Sequence, residues 1–162
     1  HVSQLIGEHT RIFLYGFGSS GLAAQEFQLR LLRLGMDAEA ITELHQMVLN
    51  EARITNACLV IGISLSGATR ELIDALDRAK ARGAAVIYLT SSNAEREKRT
   101  YEEIVLAPVK KNLEYGNVIS PQFPILLILD LIYAQLLKED RRSTEAQYDT
   151  HIWERIKDYH VG

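Results

Sequence analysis

The sequence predicts an α/β fold, a three-layer sandwich in which helices cover both faces of a five-stranded parallel sheet. Two observations predict it. Five short apolar runs alternate with segments whose apolar residues recur at helical spacing. The runs are also continuously apolar, as in parallel strands that are buried on both faces. The expected strand order is 2-1-3-4-5, as in flavodoxin-like sheets.

The predicted elements follow one another along the chain. Strands are expected over residues 11–15, 37–41, 58–64, 85–90 and 103–107. Helices are expected over residues 1–9, 22–34, 42–52 and 69–82, and a last helix over 144–159. Gly35 and Gly83 are well placed to end the helices that they follow. In the third helix, Leu44, Met47 and Val48 are expected to point inward.

Residues 123–137 are apolar on nearly every side. Ser120 and Pro121 before them are typical of an N-cap and a first helical position. The segment is too short to cross a bilayer, so protein must cover every side of this helix. One face is expected on the sheet. The other is expected to form, over residues 121–137, a homodimer or homotetramer interface, with cover by the C-terminal helix as the alternative.

The charged run from Lys138 to Arg142 is predicted to be a solvated hinge. It sets the expected boundary between a domain over residues 1–138 and a C-terminal helix over residues 139–162. That helix is expected to pack on the domain or on the partner of a dimer.

Composition excludes several classes of protein. The 162 residues suffice for one domain, and a formal net charge of −3 gives no overall preference for nucleic acid or an anionic membrane. A single cysteine, Cys58, rules out a disulfide framework within the chain and favours a cytoplasmic setting. No metal or cofactor is expected, since no Cys/His cluster is visible. No signal peptide is visible either, and because the chain starts at His1, it is expected to be a piece of a longer protein.

A turn dense in hydroxyl groups, here called the hydroxyl turn, spans Ser64 to Thr69 between the third strand and its helix. A helix N-terminus offers unpaired amides and partial positive charge, and Gly67 has no side chain to keep a ligand from the backbone. One helix cap needs one hydroxyl, whereas Ser64, Ser66 and Thr69 supply three. We therefore predict an anion site, most simply for phosphate.

A second turn, here called the glycine turn, spans Gly16 to Gly21 after the first strand. Ligands of parallel sheets bind at the carboxyl ends of the strands, so the two turns are expected side by side. The spacing Gly-x-Gly-x-x-Gly also matches the dinucleotide fingerprint, with Asp37 or Glu39 as its acid. That alternative gives the hydroxyl turn no role.

Other polar residues are candidates for catalysis or anion binding. Isomerisation of a sugar phosphate needs a base that moves a proton between adjacent carbons, and His45, Glu26 and Glu43 are the candidates. An exposed helical position is the alternative for His45. Arg70 opposes the helix dipole unless an anion binds nearby, and a solvated arginine is the alternative.

The two turns resemble the signature turns of the SIS (sugar isomerase) phosphosugar-binding domain. Residues 79–90 match a third stretch, and residues 120–137 resemble the helix after the fifth strand of that family. The resemblance covers residues 2–138 and is closest to the effector domain of RpiR-type bacterial transcriptional regulators. It implies that the ligand meets Ser64, Ser66, Thr69 and the backbone of Leu65 and Gly67, with Gly18, Ser19 and Ser20 at the sugar end or sharing the phosphate.

The resemblance implies a binding domain rather than an enzyme. SIS isomerases of arabinose 5-phosphate carry a lysine where this sequence has Ser19, and His45 does not match the context of their histidine. The expected function is that of the phosphosugar-binding and dimerising half of an RpiR-type regulator, whose DNA-binding domain lies outside this chain. A sugar-phosphate aldose–ketose isomerase and a dinucleotide-binding domain are the alternatives.

Overall fold

The computed structural model describes residues 1–91, 100–107 and 122–143 of the chain, with side chains as far as residue 139. The strands are β1 (Arg11–Gly16), β2 (Ala38–Ile41), β3 (Cys58–Ser64), β4 (Ala85–Thr90) and β5 (Glu103–Leu106). The helices are α1 (Val2–Glu8), α2 (Gly18–Arg33), α3 (Leu44–Asn50), α4 (Arg70–Ala81) and α5 (Phe123–Ser143), and a 3-10 turn over Glu51–Arg53 follows α3. The strands form one parallel sheet of order β2-β1-β3-β4-β5, which confirms the predicted fold and order.

Helices cover both faces of the sheet. Leu14 of β1 belongs to a buried cluster that includes residues of α1, α2 and α5. Its neighbour Phe13 belongs to a second cluster, on the opposite face, with residues of α3 and α4. β3 and β4 are buried along their whole length. Their unbroken apolar sequences follow from this position, because a strand covered on both faces has no solvent side.

α2 and α3 differ most from what the sequence predicted. α2 begins at Gly18, four residues earlier than predicted, so that Ser19 lies in its first turn. Of the three side chains expected to point inward from α3, only Met47 is buried, and Leu44 and Val48 are exposed. The prediction for these two was wrong because seven residues are too few for apolar spacing to fix which side of the helix meets the sheet.

α5 has one covered side and one exposed side. It contributes Ile125, Leu129 and Leu136 to the buried cluster, which confirms that one face lies on the domain. The predicted hinge at residues 138–142 is wrong, because α5 continues to Ser143. Charged residues such as lysine, glutamate and arginine are strong helix formers, so a solvated run need not end a helix.

Several predictions fall outside the described residues. They are the N-cap at Ser120, the first helical residue Pro121 and the last helix over residues 144–159. The domain boundary after residue 138 stays a prediction. Among the helices that the structure describes, none has the length and apolar character that spanning a membrane requires.

The register of the sheet places three strand ends level with one another. Gly16 at the end of β1 pairs with Ile63, and Ser64 at the end of β3 pairs with Thr90 at the end of β4. The chain therefore leaves all three strands at the same edge. The glycine turn, the hydroxyl turn and Ser91 follow these strands and share that edge.

Candidate functional site

Three hydroxyl groups converge in the hydroxyl turn. The hydroxyl oxygen of Ser64 lies 3.2 Å from that of Thr69 and 3.5 Å from that of Ser66. Ser64 is only 3% exposed, whereas Ser66 is open to solvent, so the cluster reaches from the interior to the surface. Thr69 is the N-cap residue of α4, yet its side chain makes no capping hydrogen bond. The Thr69 hydroxyl therefore contacts Ser64 instead of capping α4, and the three hydroxyls lie together beside the helix N-terminus.

Gly67 shapes the backbone of the hydroxyl turn. Its φ of +64° lies in the left-handed region, which favours glycine. The Gly67 amide donates to the Ser64 carbonyl at 3.3 Å, and the Ala68 amide donates to the Ser66 hydroxyl at 3.3 Å. Both amides stabilise the turn itself, so an anion has to compete for the amide of Gly67.

Two neighbours hold Leu65 in the same turn. Its side chain is half-buried and packs against the cluster on the α2 and α5 side of the sheet. Its carbonyl accepts a hydrogen bond from the Ser91 hydroxyl. Sequence reasoning did not single out Ser91, although the topology carries a signal for it. Ser91 directly follows β4, the neighbour of β3, and so has to lie at the same edge.

The glycines of the glycine turn have two different roles. A Cβ on Gly16 would lie 2.8 Å from the Ser20 carbonyl oxygen, and one on Gly21 would lie 2.9 Å from the Gly16 carbonyl oxygen. The close packing of the end of β1 against the start of α2 therefore requires both. Gly18 has a φ of +52° and open space around it. Of the three glycines, it is the one with open space beside its backbone.

The N-terminus of α2 carries no side-chain cap. The carbonyl of Phe17 accepts the amides of Ser20 and Gly21 at 3.0 and 3.2 Å. Ser19 is exposed, and Ser20 is 8% exposed. The side-chain amide of Gln122, just before α5, donates to the Ser19 carbonyl at 3.1 Å. Local sequence patterns could not reveal this contact, because it joins residues that lie more than a hundred positions apart.

The acids of the dinucleotide alternative belong to a different cluster. Asp37 precedes β2, so it lies at the opposite edge of the sheet from the two turns, and it pairs with Arg11 at 3.2 Å. Glu39 pairs with Arg11 at 3.1 Å and with Arg53 at 2.5 Å. The hydrogen bond from Arg53 lowers the pKa of Glu39 against the opposing effect of burial, with a further hydrogen bond from Arg11. These carboxylates hold β2 and the 3-10 turn to β1, so neither is placed to bind a ribose beside the glycine turn.

The remaining candidates lie at different distances from the turns. Glu26 pairs with Arg30 at 3.1 Å, about 12 Å along the axis of α2 from Gly18. Glu43 and His45 are exposed and follow the end of β2, at the same edge as the turns. Arg70 is exposed at the first residue of α4. The structure therefore separates Glu26 from the site and brings the other three to its edge.

Residues 4–126 of the sequence match the family model of the SIS domain. An uncharacterized HTH-type transcriptional regulator of Clostridium perfringens is 32% identical over 138 residues, which cover 84% of this chain and 49% of that relative. The chain spans about half the length of the curated relatives that it matches first.

Solved structures share the fold. The sugar isomerase domain of the RpiR transcription factor from Sphaerobacter thermophilus has a TM-score of 0.76 at 21% identity, over 87% of this chain and 77% of that one. The NanR protein of Vibrio vulnificus, complexed with ManNAc-6P, has a TM-score of 0.84 at 21% identity, over 99% of this chain and 60% of that one. A phosphoheptose isomerase from Neisseria gonorrhoeae has a TM-score of 0.68 at 18% identity, over 83% of each chain. At such identities the likeness shows the fold alone, and this fold includes both regulators and isomerases.

Proposed function

This chain belongs to the SIS domain family, and from that premise we propose that it binds a sugar phosphate as the effector domain of an RpiR-type transcriptional regulator. Two curated relatives, which match 84% and 85% of its length, are HTH-type transcriptional regulators. One observation carries the proposal. The hydroxyls of Ser66 and Thr69 both lie within 3.5 Å of the Ser64 hydroxyl, beside a helix N-terminus without a side-chain cap and at the sheet edge that also carries the glycine turn.

The chemistry of this edge suits a phosphate group. A phosphate accepts several hydrogen bonds and is stabilised by the partial positive charge of a helix N-terminus. The hydroxyl turn supplies hydroxyl donors, α4 supplies the dipole, and Arg70 adds a full positive charge at the rim. The glycine turn supplies donors for the sugar or for the same phosphate. The proposed ligand contacts are Gly18, Ser19, Ser20, Ser64, Leu65, Ser66, Gly67, Thr69 and Arg70.

Regulation by this ligand requires assembly. The proposed regulator is a homodimer or homotetramer that forms in part through residues 121–137, and it works in the cytoplasm. Phe123, Leu127 and Leu131 of α5 support such an interface, because each is about half exposed or more. The sugar phosphate shifts the geometry of the assembly and so the spacing of DNA-binding domains outside this chain. It does so by binding two arrangements with different affinities.

Calorimetric titration with a panel of sugar phosphates tests the proposal, and Ser66→Ala is the informative variant. The wild-type chain is expected to bind a phosphorylated sugar and to ignore the same sugar without its phosphate. Ser66→Ala is expected to weaken binding roughly tenfold or more, because a hydrogen bond to a charged group is lost. Its melting temperature without ligand is expected to fall by only a few degrees at most, since Ser66 is exposed and loses a single hydrogen bond, from the Ala68 amide.

Thr10→Val is the matched control. Thr10 precedes β1 at the opposite edge of the sheet, and its hydroxyl lies 3.4 Å from the Ala57 carbonyl. Loss of this hydroxyl is expected to leave affinity unchanged. Equal binding of phosphorylated and unphosphorylated sugars would contradict the proposal.

An aldose–ketose isomerase is the second candidate, and the exposed positions of Glu43 and His45 at the site edge favour it. An isomerase assay with pentose and hexose phosphates separates the two functions. A binding domain gives no turnover with any of them. Turnover that His45→Gln or Glu43→Gln abolishes would establish the enzyme instead.

A further inference from the structure

We propose that Ser91 is a positioning residue, whose hydroxyl fixes the orientation of a main-chain amide in the hydroxyl turn. The inference rests on the proposed function and adds a residue from beyond the two turns. The observation behind it is the hydrogen bond from the Ser91 hydroxyl to the carbonyl of Leu65. The donor comes from the end of β4, and the acceptor follows the end of β3.

The sheet topology determines which way this contact turns the peptide between Leu65 and Ser66. A trans peptide is planar, and its carbonyl oxygen and amide hydrogen point to opposite sides. β3 lies between β1 and β4, and Ser91 directly follows β4. A Leu65 carbonyl held on the β4 side therefore directs the Ser66 amide to the β1 side. That is the side on which the glycine turn lies.

This orientation matters for binding an anion. An amide hydrogen attracts phosphate, whereas a carbonyl oxygen in the same place carries partial negative charge and repels it. The contacts inside the turn involve other groups, because the Gly67 amide bonds to Ser64 and the Ala68 amide bonds to the Ser66 hydroxyl. The Leu65 carbonyl is instead held from a separate strand. Loss of the Ser91 hydroxyl frees this peptide to rotate.

Titration of the whole chain with inorganic phosphate tests this role, because phosphate alone probes the hydroxyl turn. Ser91→Ala is expected to weaken phosphate binding roughly three- to tenfold, the effect of one lost hydrogen bond. Ser91→Thr keeps the hydroxyl and is expected to bind as the wild type does. Thr10→Val removes another hydroxyl beside a main-chain carbonyl, at the opposite edge, and is expected to change nothing.

The amide resonance of Ser66 supplies a readout that a purely structural role would not move. In ¹⁵N-resolved NMR spectra, saturating phosphate is expected to shift this resonance in the wild type and in Ser91→Thr, and to shift it clearly less in Ser91→Ala. If Ser91→Ala lowers the melting temperature, the phosphate-induced shift of the Ser66 amide is still measurable below that temperature, where the protein is folded, and still tests the inference. A phosphate-induced shift of wild-type size in Ser91→Ala would overturn the inference.

Ser66→Ala separates failure of this inference from failure of the proposed function. Weakened binding in Ser66→Ala with wild-type binding in Ser91→Ala overturns the role of Ser91 and leaves the site standing. A wild-type chain that binds neither inorganic phosphate nor any sugar phosphate overturns the proposed function, and the role of Ser91 with it.

Discussion

Ser64 illustrates how a single residue of this chain belongs both to the buried sheet and to the proposed site. It ends a strand that is buried along its whole length, so its hydroxyl sits where an unpaired polar group would be costly. The hydroxyl of Thr69, 3.2 Å away, satisfies it. The sequence predicted that these hydroxyls lie close together, because both belong to one short turn. The strand order places Ser91 at the same edge, but the hydrogen bond from Ser91 to the Leu65 carbonyl depends on the packing of two strands and needed the structure.

Glu39 is a residue whose charge contributes to stability. Its carboxylate joins Arg53, beyond α3, to Arg11 of β1. Glu39→Gln is expected to lower the free energy of unfolding at pH 7 by about 1 kcal/mol or less, since the side chains are partly exposed. Urea denaturation measures the difference. Glu26→Gln is the control and is expected to cost only a few tenths of a kcal/mol, since Glu26 is exposed and makes a single i,i+4 pair with Arg30.

The pH dependence of that difference has a definite sign. The pKa of Glu39 in the folded chain lies below its ordinary value of 4.5, chiefly through the hydrogen bond from Arg53. Its contribution is therefore fully present above pH 4.5 and is lost as the pH falls through the lower, folded pKa. The free energies of unfolding of the wild type and of Glu39→Gln are expected to differ at pH 7 and to become equal in acid. A difference that grows as the pH falls would contradict this account.

Among the elements, those buried on both faces were predicted best. β3 and β4 have the predicted bounds, because a strand without a solvent side shows a continuous apolar run with clear ends. The elements with one exposed side differ more from their predictions. Leu44 and Val48 of α3 were expected to point inward but are exposed, and α5 continues through the charged residues 138–142. Apolar spacing predicts an amphipathic helix but not how far its polar end extends.

The junction of β1 and α2 makes a sharp prediction about Gly16. An alanine Cβ there would lie 2.8 Å from a main-chain oxygen, which cannot move without shifting the turn. Gly16→Ala is expected to cost roughly 1–3 kcal/mol of stability and to weaken sugar-phosphate binding. Thermal unfolding and titration measure the two effects.

Gly7→Ala is the control for this substitution. Nothing lies within 4 Å of a Cβ at Gly7, and the residue sits inside α1. Alanine there is expected to stabilise the chain by about 0.5–1 kcal/mol, since glycine is a poor helix former. Equal stability of the two variants would show that the junction tolerates a side chain.

At the scale of the whole molecule, the proposed site joins the two faces of the sheet. The glycine turn leads into α2 on one face, and the hydroxyl turn leads into α4 on the other. The alternating pattern of strands and helices predicted this arrangement, because the order 2-1-3-4-5 places β1 beside β3. The contact between Gln122 and Ser19, which ties α5 to the glycine turn, needed the tertiary structure.

The proposed assembly makes a prediction about α5. Leu131 is 63% exposed, and an aspartate in its place would put a charge into the proposed interface. Leu131→Asp is expected to lower the molar mass in solution, as measured by light scattering after size-exclusion chromatography. Leu49→Asp is the control, since Leu49 is 61% exposed on α3, across the sheet. If both variants keep the mass of the wild type, α5 is not the interface.

A crystal structure of the chain grown with a hexose 6-phosphate tests the central claim most directly. We predict a phosphate group within hydrogen-bond distance of the hydroxyls of Ser64, Ser66 and Thr69, with the sugar extending towards the glycine turn. A phosphate bound elsewhere on the molecule, with these three hydroxyls bonded only to one another, would contradict the claim.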